Sequence, residues 1–108
     1  MITEGGSIAI IETIGVYGFV NAFQERGRMA GWTTFGLEEL FHYLYDLSQD
    51  MGEHLELDVI AIDSEFVEYL SFQQIQQDYD NIETMRDLQD RTTVIPIKAT
   101  GGYIIRAF

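Results

Sequence analysis

"ELDVIAIDSEFVEYLSFQQIQQDYD", residues 56–80, sets an apolar centre inside acid. Its β-branched run Val59-Ile60-Ala61-Ile62 reads as the middle of a buried strand over 57–62. Asp58, Asp63, Glu65 and Glu68 then fall on or just beyond the ends of that strand. Carboxylates so placed suit a hard cation or a general base. They equally suit the flank of a negative surface, and the rest of the chain favours that second reading.

Eighteen acids against six bases give the 108-residue chain a formal charge of −12. Residues 38–90 hold fifteen of the acids and one base, Arg86, a balance of −14; the remaining residues hold three acids and five bases. Solubility of a small domain asks for a net charge of only about 2 to 8 in magnitude, and anything beyond that repels itself in the compact state. The excess points to a basic partner. It argues against direct contact with DNA or RNA, whose phosphates need cations, because Arg26, Arg28, Arg91, Lys98 and Arg106 form no run.

The chain has no cysteine, which rules out disulfides, zinc–thiolate sites and thiol nucleophiles. No stretch approaches the roughly 18 consecutive apolar residues of a membrane span. The apolar run Ser7–Ile11 lacks a preceding basic charge and is flanked by Glu4 and Glu12, unlike a secretory signal. A soluble protein of the bacterial cytoplasm is expected.

Working outward from the opening stretch, residues 34–51 give the clearest helix, with Leu37, Leu40, Phe41, Leu44, Leu47 and Met51 on one face, Thr34 as N-cap and Gly52 as terminator. Its other face carries Glu39, His42, Tyr43, Asp46, Asp50 and Glu53. Residues 14–28 place Val16, Phe19, Val20 and Phe23 together on an earlier helix that Thr13 can cap, followed by a loop over "RGRMAGW". Ser71 with Gln74 is a capping-box pattern that opens a helix with Phe72, Ile75 and Tyr79 inside. Residues 82–90 form a short helix with Ile82, Met85 and Leu88 inside and Glu83, Asp87 and Asp90 outside. "TTVIPIKATGGYIIRAF" is a hairpin around Gly101-Gly102, and Pro96 assigns its strand to an edge or a bulge. Residues 1–12 read as an extra strand, over 7–11, or a flexible N-terminal segment. The expectation is one α+β domain over 1–108. Its small, mainly antiparallel sheet has about three to four strands, and three to four helices cover one face.

No catalytic or cofactor motif stands out. Among the carboxylates there is no Asp-x-Asp-x-Asp-Gly loop, and no His-x-x-x-His pair, phosphate loop or glycine–serine elbow accompanies them. His42 and His54 read as solvated side chains. No metal, no cofactor and no enzymatic activity is expected. Phe19, Phe23, Phe41 and Phe72 fit a core. Trp32 fits a loop anchor better than a contact residue. Tyr43, Tyr69, Trp32 and Phe108 are the residues from which an apolar partner-binding patch would be built, and a homodimer under the same reading would form on the hairpin edge.

B-DNA carries one negative charge per roughly 1.7 Å of axis. A protein that imitates it needs carboxylates on rigid elements with little positive charge between them. Glu39, Asp46, Asp50, Glu53, Glu83, Asp87 and Asp90 on the helices, with Asp63, Glu65 and Glu68 beyond the strand, meet that description as one continuous negative surface.

The order of landmarks resembles a group of small acidic proteins encoded by bacteriophages and prophages. "FVNAF" (19–23), "GLEELFHYLYDL" (36–47), "ELDVIAI" (56–62), "EFVEY" (65–69), "QQDYD" (76–80), "TTVIPI" (92–97) and "GYIIRAF" (102–108) carry the resemblance. The portion "EFVEYLSFQQI" (65–75) is also similar to a strand-then-helix element of ArdA-type antirestriction proteins, which are DNA mimics. These resemblances imply a phage or mobile-element origin and a non-enzymatic inhibitor of host defence, antirestriction or anti-CRISPR. Its partner would be a basic nucleic-acid-binding protein or complex of the host.

Overall fold

Thr33 opens the longest helix of the chain, in a computed structural model whose described residues are 10–108. Its hydroxyl accepts a hydrogen bond from the Gly36 N–H at 2.9 Å, and helix α2 (Thr34–Met51) follows. Leu37, Leu40, Phe41 and Leu44 are buried along one face. Gly52, at φ 66°, ends the helix in the left-handed region that favours glycine. The cap is Thr33, one residue before the expected Thr34, because it is Thr33 that keeps an extended backbone.

Helix α1 (Ile11–Glu25) precedes it, kinked at Gly15, whose φ of 73° and ψ of 174° are not helical. The sequence placed this helix at 14–28. The turn before Gly15 adds residues at its front, Thr13 caps nothing, and Ile10 at the N-cap offers no side-chain bond. Of the expected strand 7–11, residues 7–9 lie outside the described residues; Ile10 makes a single bridge to Glu56, and Ile11 is helical.

The opening stretch folds differently from its reading as a strand. Residues 59–65 are helix α3 (Val59–Glu65), and the strand β1 (Phe66–Tyr69) begins only after it. Asp58 accepts from the Ala61 N–H at 3.1 Å and caps α3. Val59 and Ile62, three residues apart, are both buried, whereas Ile60 between them is 47% exposed. A strand would bury alternate residues. The spacing of three and the aspartate cap therefore outweigh the β-branched preference of the run.

Helix α4 (Phe72–Asp78) starts at Ser71, which accepts from the Gln74 N–H at 3.3 Å, as expected. Helix α5 (Met85–Arg91) begins three residues later than the expected 82–90, because Thr84 and Asp87 form a capping box. Strands β2 (Val94–Ile97) and β3 (Gly102–Arg106) make the C-terminal hairpin, with Gly101 at φ 77° in its turn. The sheet is antiparallel in the order β1-β3-β2. The fold is α+β, with five helices among the described residues.

Helices cover both faces of the sheet, where one was expected. Phe66, Ile95, Ile97 and Ile104 pack with Phe19, Phe23, Leu37, Leu40 and Phe41 of α1 and α2. Val94, Tyr103 and Ile105 pack on the other side with Ile75, Ile82 and Leu88. The central strand β3 is buried on both sides, Ile104 towards one layer and Ile105 towards the other, and each such side chain contributes about 1.5–3 kcal/mol.

Pro96 lies on the edge strand β2, as its imino nitrogen requires. The ladder also places it in phase. Arg106 N–H donates to Thr93 O and Ala107 N–H donates to Glu65 O, so Ile95 and Ile97 face β3 while Val94 and Pro96 turn their backbone groups outward. The missing N–H of Pro96 thus costs no ladder bond.

Candidate acidic binding surface

The four carboxylates of the opening stretch do not converge. Asp58 caps α3. Asp63 accepts from the Trp32 indole N–H at 2.8 Å and stands 3.5 Å from the Arg28 guanidinium. Glu65 faces Arg106 at 3.9 Å, and that guanidinium lies over the Phe66 ring. Glu68 points from β1 to the start of α2, where it accepts from the Thr33 N–H at 2.8 Å and from the Thr33 hydroxyl at 2.7 Å. Three of the ten acids named as partner-binding candidates, Asp63, Glu65 and Glu68, are therefore engaged by the fold.

Asp87 is a fourth. Its carboxylate accepts from the backbone N–H groups of Thr84 at 2.9 Å and Glu83 at 3.0 Å, and these bonds hold it below the usual carboxylate range. Glu39 is half-buried. The remaining five, Asp46, Asp50, Glu53, Glu83 and Asp90, are exposed, and their side chains make no hydrogen bond or ion pair with a described residue.

Asp46 and Asp50 lie on the last turns of α2, separated by roughly 6 Å of axial rise, with Glu53 just past the cap. The C-terminal end of a helix carries the negative end of its dipole, so these charges add to an already negative pole. No lysine or arginine occurs between residues 38 and 85. Glu83 and Asp90 stand at α5, in the layer on the other side of the sheet. The five exposed acids thus stand in the two layers that flank the sheet.

A polar cleft of about 210 Å³ follows α2, lined by Glu12, Ser48, Gln49, Gly52, Glu53 and His54. Another of about 320 Å³ lies between the loop at Gly31–Thr33 and the end of β1, bounded by Glu68 and Leu70. Among the described residues, no group of three or more histidine or acidic side chains is placed to hold a metal ion. No described helix is long and apolar enough to cross a membrane.

Of the aromatic residues considered for an apolar patch, Trp32 is buried, Tyr43 and Tyr69 are partly buried and Phe108 is exposed. Trp32 is 9% exposed and meets Phe23 edge-on, which makes it an anchor of its loop. Tyr43 packs on Phe66. Tyr69 donates to Asp78 at 2.7 Å, and burial, together with that bond, raises its phenol well above the ordinary range. Phe108 stacks on Tyr79 with ring centres 4.0 Å apart.

Sequence reasoning did not find the partners of these acids. Thr33, Gly36 and Trp32 position Glu68 and Asp63 from more than thirty residues away. The one local signal is Gly36 inside a helical pattern, a residue that a helix does not ask for.

Comparison with protein-family models, with curated proteins and with solved structures finds no match.

Proposed function

We propose that the chain is a non-enzymatic acidic inhibitor that occupies a basic, nucleic-acid-binding groove of another protein. The C-terminal half of α2 is its main contact, acting as a stand-in for the phosphate backbone. The target class implied by the sequence resemblance is a host defence nuclease, either a restriction enzyme or a CRISPR effector.

One observation carries this reading. Asp46 and Asp50 on the rigid helix α2, and Glu53 just past its cap, have no described partner, while Asp58, Asp63, Glu68 and Asp87 are committed to caps and loop contacts. Charges left free on a packed helix repel each other and oppose folding, so a role outside the fold accounts for keeping them. A groove built for phosphates attracts such a pole over a Debye length of roughly 8 Å at physiological salt.

The test is equilibrium binding to purified restriction and CRISPR effector complexes, with duplex DNA as competitor, at about 50 and about 300 mM salt. Binding should weaken steeply with salt, compete with DNA and fail in the Asp46→Lys/Asp50→Lys variant. Salt-insensitive binding, or binding that survives the double reversal, overturns the reading.

A further inference from the structure

We propose that the outer rim of β1 is a docking edge for an extended, lysine- or arginine-bearing segment of another protein, which adds to the sheet as an antiparallel strand. β1 ends the sheet, with β3 on one side and no described strand on the other. The Ala107 N–H donates to Glu65 O, and this sets the phase of the ladder. Val67 and Tyr69 turn their backbone groups to β3, while Phe66 and Glu68 turn theirs outward. The Phe66 N–H is taken by Ile62 O at the end of α3. The Phe66 carbonyl, the Glu68 N–H and the Glu68 carbonyl have no backbone partner among the described residues.

Those three groups are what an incoming antiparallel strand uses. One of its residues exchanges two bonds with Glu68, and the residue two positions further on donates to the Phe66 carbonyl. The opposite rim, on β2, is less suited, because Pro96 removes a donor from it.

The side chains around the rim name the occupant. Residues directly opposite each other on paired strands share a face. The side chain opposite Glu68 therefore lies on the face where Glu68 reaches Thr33, beside the cleft of about 320 Å³ between the Gly31–Thr33 loop and Leu70. That cleft joins a carboxylate to an apolar wall, and Leu70 is 63% exposed. An aliphatic stem that ends in a cation fits both. The two Glu68 oxygens each accept one bond from Thr33, and each keeps a second lone pair.

The charge agrees. Residues 56–70 hold five acids and no base, and the nearby Arg28 and Arg106 already stand against Asp63 and Glu65. The same charge repels a second copy of this −12 chain. The rim lies by the N-terminal end of α2, whereas Asp46, Asp50 and Glu53 lie at its other end, so the proposal does not depend on the inhibitor reading.

The probe is an end-blocked peptide of alternating valine and threonine with one central lysine. It is titrated into the nitrogen-labelled full chain up to about 5 mM and followed by NMR. The Glu68 amide should shift to saturation and gain protection from exchange, while Val94 on the opposite rim stays in place. Glutamate in place of the lysine should weaken binding at least about tenfold. Methylation of the lysine's backbone nitrogen should do the same, since it removes a strand bond and leaves the side chain intact. An unmoved Glu68 amide, equal binding of the glutamate peptide, or indifference to methylation overturns the proposal. So does a Glu68 amide that shifts with chain concentration in the absence of peptide, which gives the rim to a second copy.

Discussion

Glu68 closes the N-terminal end of α2 from a strand 35 residues away, its two carboxylate oxygens accepting from the N–H and the hydroxyl of Thr33. The same hydroxyl accepts from Gly36, so side chain, cap and helix form one hydrogen-bonded ring. The carboxylate lies over Gly36 so closely that a Cβ there would fall 2.1 Å from Glu68 Oε1.

Gly36→Ala is therefore expected to destabilise the protein, although alanine normally gains up to about 1 kcal/mol over glycine within a helix. Thermal unfolding should show a Tm lower by several degrees, about 4–8 °C per kcal/mol in a domain near this size. Glu68→Ala alone should also lower Tm, at a cost of roughly 1–3 kcal/mol in stability, since it strips a charged acceptor from partly buried donors. In the Glu68→Ala background, Gly36→Ala should become stabilising. If Gly36→Ala raises Tm in the native background, Glu68 does not occupy this seat.

Charge reversals should sort into two classes. Asp46→Lys and Asp50→Lys, on the exposed face of α2, should leave Tm unchanged or raise it, because they relieve self-repulsion. Asp63→Lys and Glu68→Lys should lower it sharply, because each leaves the donors of Trp32 or Thr33 facing a cation. Circular dichroism melts of the four single variants in low salt read this directly. A Tm loss at Asp46 equal to that at Glu68 would contradict the division of the acids.

The indole of Trp32 reports on the loop between α1 and α2. Asp63→Ala removes the acceptor of its N–H and should cost about 1–3 kcal/mol. Asp63→Asn keeps an oxygen for the indole while releasing Arg28, and should cost far less, in line with a part-exposed ion pair. As the chain has a single tryptophan, its emission reads the site without interference. A red shift is expected in the alanine variant, and equal spectra and stabilities for the two variants would count against the bond.

Asp87 predicts a pH dependence. Its carboxyl is lowered by the backbone N–H groups of Thr84 and Glu83, so its contribution is present above the unfolded carboxylate value and lost as pH falls through the lowered one. Acid also relieves the repulsion of a −12 chain, which acts in the opposite direction. The informative quantity is the difference in stability between the native chain and Asp87→Asn. It should be constant near neutral pH and shrink on acidification below about pH 4. A difference that grows towards acid would reverse the sign.

The elements legible in the sequence are those whose signals are local. The apolar spacing from Leu37 to Leu44 and the glycine at position 52 mark α2, Ser71 marks α4, and Gly101 with two β-rich runs marks the hairpin. The run Val59–Ile62 misled because its composition favours a strand, while the deciding facts are the cap at Asp58 and the burial of Val59 with Ile62. Likewise, a carboxylate bound for a helix end across the molecule, such as Glu68, looks like any surface acid in a linear reading. The exposed acids of α2 were legible as a group because they repeat at helical spacing within one element. That Glu83 and Asp90 stand in the other layer depends on which face of the sheet each helix covers, and that is set by the packing of β3.

The last eighteen residues, 91–108, contain no acid at all, so the charge that keeps the rest of the molecule apart in solution does not guard the hairpin. Its rim is a row of backbone groups of the kind on which amyloid-like stacking begins. Pro96, turned outward on that rim, presents a position with no hydrogen to offer to an incoming strand. Pro96 thus limits strand addition along a rim where no carboxylate stands to repel a second copy of the chain.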